Sequence, residues 1–133
     1  MITLNAVFAR MRRQKIEEFS GEFFLCGDDV IETIPSLRRY EEQQFLFGIY
    51  FSEERWTILS VNYLYALCDK RFSTLRLDEE ADIVCNYFCN NDFSSEVHLD
   101  DGRSIWMKSP ELSSLILNLM LMLKKVPCET RLK

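Results

Sequence analysis

Carboxylates recur in tight groups along this chain: Asp28-Asp29 with Glu32, Glu53-Glu54, Asp78-Glu79-Glu80 with Asp82, and Asp100-Asp101. Two acids held a few ångströms apart can run general acid–base chemistry, as in glycoside hydrolysis, but only across a cleft that holds the substrate between them. Here the acids sit beside turn-forming residues, where solvated carboxylates are the commoner outcome. The other reactive side chains are five cysteines (Cys26, Cys68, Cys85, Cys89 and Cys128) and one histidine, His98. A Cys–His nucleophile would need His98 beside one of those thiols. Cys85 and Cys89 have the spacing of half a zinc site, but no second pair completes the four ligands a structural zinc takes. No glycine-rich phosphate loop, G-x-S-x-G elbow or H-E-x-x-H pair occurs. The expectation is a protein without catalysis, metal or cofactor.

The elements that position these residues belong to one ordinary globular domain. The chain has 133 residues, 47% of them apolar and 28% charged, with four Gly and three Pro. That is enough chain to bury a core without staples. An odd cysteine count, and an N-terminus with Arg10, Arg12, Arg13 and Lys15 in place of an apolar leader, predict free thiols in the cytoplasm. Residues 1–20 hold four basic and two acidic side chains, and residues 121–133 four basic and one acidic. The stretch between them therefore carries −10 against a total of −5. A body this acidic repels phosphate backbones, which argues against nucleic acid and for a basic protein partner.

Apolar spacing at Val7, Phe8, Met11, Ile16 and Phe19 predicts one amphipathic helix over 5–19, with Asn5 as a possible N-cap. Breaks at Gly27–Asp29 and Pro35 predict short elements either side of Asp28. A sheet is expected over about 44–108. Its runs are "FLFGIYF", "WTILSV", "YLYALC", "FSTLRL" and "IVCNYFC", all rich in aromatic and β-branched residues, with "DEEAD" as an acidic corner between two strands. Asp101-Gly102 predicts a two-residue hairpin turn that sets Val97 opposite Trp106. Ser109-Pro110-Glu111 predicts a helix start, and the helix should run over about 110–125 with Pro127 beyond it. Its apolar run from Leu112 to Leu123 is 12 residues, short of the roughly 20 that a membrane span needs.

A meander closed by a hairpin and one C-terminal helix resembles the pleckstrin-homology-like superfold, including its bacterial GRAM members. The resemblance is carried by "WTILSVNYLYALCDKRFSTLRLDEEADI" (Trp56–Ile83) and "EVHLDDGRSIWMKSPELSSLILNLMLML" (Glu96–Leu123). It implies an α+β fold: an antiparallel meander or partly closed barrel, with an N-terminal helix and a C-terminal helix capping one end. The loops "SEER" and "DEEAD" are acidic where the lipid-binding members of that superfold are basic.

In size and charge the chain is similar to bacterial immunity proteins, which neutralise a toxin by direct binding. The leading expectation is therefore an acidic cytoplasmic inhibitor of a basic toxin. Its contact residues would be Asp78, Glu79, Glu80 and Asp82, with Asp28, Asp29 and Glu32 as the second choice. A lipid-surface or interaction module of the pleckstrin-homology type, and a type III secretion chaperone, are the alternatives.

Overall fold

The computed structural model describes residues 3–126. Pro127 and Cys128 lie outside the described residues. The chain opens on α1 (Leu4–Arg13), capped by Thr3, whose Oγ1 accepts from Ala6 N at 3.2 Å. Thr3, not Asn5, is the cap. The single helix expected over 5–19 is two, because Lys15 turns left-handed (φ 56°) and α2 (Ile16–Ser20) starts afresh. Nine positions along a continuous helix would set Val7 and Ile16 roughly 180° apart. The break returns both to one core, where each is buried.

A five-stranded antiparallel meander follows, in the order β1 (Phe24–Cys26), β2 (Phe45–Ser52), β3 (Arg55–Ser60), β4 (Tyr63–Cys68) and β5 (Arg71–Arg76). It is not closed into a barrel. Between β1 and β2 the chain makes a short helical turn at Gly27–Asp29, the four-residue α3 (Val30–Thr33), and a 3-10 stretch from Pro35 to Tyr40. Gly48 on β2 admits no side chain, since a Cβ there would collide with Ile58 Cδ1 and the Thr57 carbonyl. The β4–β5 hairpin turns on Asp69 and Lys70, both at positive φ, as a two-residue turn of the primed type requires.

Beyond β5 the expected strand "IVCNYFC" is a helix, and the sheet ends there. Residues Leu77–Asn90 form α4, burying Leu77, Ala81, Val84 and Phe88 at helical spacing. Asp78, Glu79 and Glu80 occupy its first turn, where the exposed N–H groups and the helix dipole favour carboxylates. "DEEAD" is therefore a helix start and not a corner between strands.

A separate two-stranded ribbon, β6 (Glu96–His98) and β7 (Ser104–Trp106), follows α4. Its register differs by one from the expected one: Val97 pairs with Ile105, and Trp106 with Glu96. Leu99 N donates to Arg103 O and Gly102 N to Leu99 O, at 2.9 and 3.0 Å. The loop is thus three residues, Asp100 to Gly102, with Gly102 at φ 95°. That is the bulged alternative to a two-residue turn, and it puts Val97 and Trp106 on opposite faces.

The C-terminal helix, α5 (Pro110–Lys124), starts as its sequence predicts. Ser109 Oγ accepts from Leu112 N at 3.2 Å, and Pro110 occupies the first turn. Among the described residues no helix is long and apolar enough to cross a membrane. The fold is α+β, with helices at both ends of an antiparallel meander.

Candidate binding cleft

The sheet buries apolar side chains on both faces. On one, Phe47, Ile49, Leu59, Leu64, Ala66 and Leu75 join the helices and the β6–β7 ribbon in the main core. Thr57 Oγ1 donates to the Trp106 carbonyl and ties the ribbon to β3. The other face carries a smaller core of Trp56, Ile58 and Tyr65, covered by Val30, Ile34 and Leu37.

That cover does not span the face. Strand pairing sets Tyr50 opposite Trp56, Trp56 opposite Leu67, and Leu67 opposite Phe72, a row that crosses four strands. This row floors a cleft of about 430 Å³, with Ile34, Pro35 and Tyr40 as its wall. Small-ligand sites commonly span about 300–1,000 Å³. Trp56 is nearly closed off at 3% exposure, whereas Phe72 remains 44% exposed. Phe72 touches two other rings of the cleft, Trp56 at 6.2 Å and Tyr40 at 6.4 Å between centroids. The charged side chains of the lining are Arg39 and Glu53. The Arg39 guanidinium lies over the Tyr40 ring, 5.5 Å from its centroid.

The two acidic groups expected to bind a partner occupy different settings. In α4, Asp78 and Glu79 pair with Arg76 at 2.9 and 3.4 Å. Glu80 pairs with Arg103 at 2.8 Å and accepts from Arg76 N at 3.0 Å, and Asp82 pairs with Lys124 at 2.6 Å. Every acid of that group already has a cation. Asp28, Asp29 and Glu32 are exposed on the segment that covers the aromatic face, and none forms an ion pair among the described residues. The structure does not bring the two groups together.

Arg103 also holds Asp101, at 2.7 Å, and donates to the Thr74 carbonyl at 2.9 Å, locking the hairpin to β5 and α4. Its hydrogen bonds push the Asp101 carboxyl below the usual range.

Two of the thiols sit where burial works against ionisation. Burial pushes Cys68 and Cys85 above the ordinary thiol value, the direction opposite to a nucleophile's. Glu96 Oε1 lies 3.9 Å from Cys68 Sγ and 3.6 Å from His98 Nε2, and the imidazole's Nδ1 is engaged with Ser104 Oγ at 3.0 Å. Cys26, Cys68, Cys85 and Cys89 are free, and among the described residues no three His, Cys, Asp or Glu side chains group as metal ligands would.

A second aromatic group lies on the main-core side of the sheet. A bulge between Tyr50 and Ser52 leaves Phe51 unpaired and 56% exposed, with Phe23 and Trp106 at 5.6 and 5.8 Å. Neither aromatic group includes any of the acids expected to meet a partner. The signal for the cleft is a both-faced apolar pattern, in which Trp56 and Ile58 alternate with Leu59, and Tyr63, Tyr65 and Leu67 alternate with Leu64 and Ala66. Such a sheet must be covered on both sides.

No protein family, curated protein or solved structure compared with this chain matches it.

Proposed function

We propose that this chain is a non-catalytic, acidic protein-binding domain whose cleft between β2–β5 and the Pro35–Tyr40 segment receives a basic partner. An immunity-type inhibitor of a basic toxin, held in the cytoplasm, is the form of that activity its size and charge suit. The observation that carries the reading is the half-covered row of Tyr50, Trp56, Leu67 and Phe72, with Glu53 at its edge forming no ion pair among the described residues. Binding energy at protein interfaces concentrates in a few aromatic anchors, and surrounding charge sets the association rate. The acids of α4 are poorer contacts, because a partner would first have to displace Arg76, Arg103 or Lys124.

The test expresses the gene immediately upstream of this one in cells with and without the chain. Growth arrest that the chain relieves, through a purified complex whose association slows steeply with salt, is the expected result. Arrest without relief, or relief without a complex, removes the inhibitor reading. Within that assay, Lys at Asp28, Asp29 and Glu32 should slow association, whereas Lys at Glu79 and Glu80 should leave binding intact and lower stability.

A lipid-surface reading has one feature in its favour: Arg12, Arg13 and Lys15 are exposed on the N-terminal helices, beside the partly exposed Phe19. Co-sedimentation with anionic vesicles, lost on replacing these cations with Gln, would favour it over the inhibitor.

A further inference from the structure

We infer that the cleft is an aromatic receptor for a single cationic side chain, a lysine ammonium or an arginine guanidinium, presented by the basic partner. The inference rests on the protein-binding reading above and names the group that enters.

Three observations converge on a cation in preference to a neutral apolar group. The first is the lining. Tyr40, Tyr50 and Phe72 are partly exposed rings around the nearly buried Trp56, so aromatic side chains from the wall and three strands line the cleft. Ring faces are electron-rich and attract a cation within about 6 Å of their centroids, most strongly where water is thin. The second is Glu53. It lines the cleft from the β2–β3 turn and forms no ion pair among the described residues, whereas its neighbour Glu54 pairs with Lys70 at 3.9 Å. An aromatic floor with a free carboxylate at its edge fits a long side chain that has an apolar stem and a charged head. The third is internal to the molecule. Arg39, from the wall, already lays its guanidinium over Tyr40, so one ring of this cleft holds a cation in the protein itself.

Arg39 gives the inference an opposed prediction. If the cleft receives a cation, Arg39 competes for the same rings and repels the incoming charge, so its removal tightens binding. If the cleft received a carboxylate instead, Arg39 would be its counter-ion and its removal would weaken binding. Glu53 carries the reverse expectation in each case. Both side chains are on the surface, so neither substitution threatens the fold.

The experiment titrates the full chain with Nα-acetyl-arginine amide, Nα-acetyl-lysine amide and the neutral isostere Nα-acetyl-citrulline amide, following ring signals by NMR. The two cations should shift Tyr40, Tyr50 and Phe72 and bind about tenfold more tightly than the citrulline amide. Glu53→Gln and Phe72→Ala should each weaken the cations several-fold, and Arg39→Ala should strengthen them. Equal binding of the neutral probe, shifts confined to other rings, no shift up to the solubility limit, or weakening by Arg39→Ala would each overturn the cation receptor. The protein-binding reading is tested separately. Probes that bind where no basic protein does leave the receptor standing and remove that reading. A basic partner indifferent to both Glu53→Gln and Phe72→Ala does the opposite.

Discussion

One face of the sheet is covered by four helices and a ribbon; the other is covered by fourteen or so residues of short turns, from Gly27 to Tyr40. The helical cover meets aliphatic side chains and leaves Val7, Ile49, Leu77, Val84, Leu112 and Leu119 with no exposure at all. The turn cover meets aromatic rings and leaves several of them half open. The helix-covered face holds the larger buried cluster, so it removes more apolar surface from water and should contribute more to stability. Rings with two χ angles keep their orientation without complete burial, so the second face can hold shaped apolar surface in reserve. Division of labour between the faces follows from how much cover each receives.

The comparison breaks first, and by the largest amount, in α5. Leu119 is fully buried in the main core, and Leu119→Ala should cost about 2–5 kcal/mol. Leu115, four residues earlier, only packs against that core from a partly buried position, so Leu115→Ala should cost distinctly less. Denaturant midpoints at unchanged slope would measure both. Equal costs would mean that α5 does not present the face described.

Next comes the hairpin that closes the same core. At φ 95°, Gly102 occupies backbone that a β-branched residue strongly resists. Gly102→Val should cost roughly 1–3 kcal/mol, through strain at that φ together with crowding of Arg71 Nη1, which donates to the Gly102 carbonyl. Gly102→Asn, which tolerates positive φ better, should recover part of it. If both variants cost the same, the loop has some other conformation.

These two regions also mark what could be read in advance. α5 was legible because Ser109, Pro110 and Glu111 form a local start signal that depends on nothing distant. Strands β2 to β5 were legible because aromatic and β-branched runs alternate with polar turns every few residues. α4 was not, because Ile83, Val84, Tyr87 and Phe88 all favour strands, and only the spacing of four, three and four between Leu77, Ala81, Val84 and Phe88 reveals the helix. The hairpin itself is legible but its register is not, since Asp101-Gly102 fits a two-residue loop as readily as the end of a three-residue one. The cleft lay beyond local reading altogether. Its floor takes one side chain from each of four strands, so it depends on three registers at once, and its wall comes from a segment before all four.

The smallest effect expected is at the centre of the aromatic face. Tyr65 is fully buried, packed among Tyr40, Phe45 and Tyr63 at 4.7, 6.1 and 5.7 Å, and its hydroxyl has no hydrogen-bond partner among the described residues. A buried hydroxyl without a partner has given up its water and gained nothing in exchange. Removing it while keeping the ring should therefore be neutral or slightly stabilising, within about 1 kcal/mol at neutral pH. The pH dependence sharpens this. Burial pushes the Tyr65 phenol well above its ordinary value of 10.0. The folded protein thus keeps this proton at a pH where the unfolded chain has lost it. A proton held more tightly by the folded state contributes stability below the unfolded value, and that contribution is lost as pH rises through 10.0 and beyond. Tyr65→Phe should leave the denaturant midpoint near neutrality almost unchanged and flatten its decline above pH 10. A clear loss of stability at neutral pH would show that the hydroxyl is hydrogen-bonded, and that this face is as tightly built as the one under the helices.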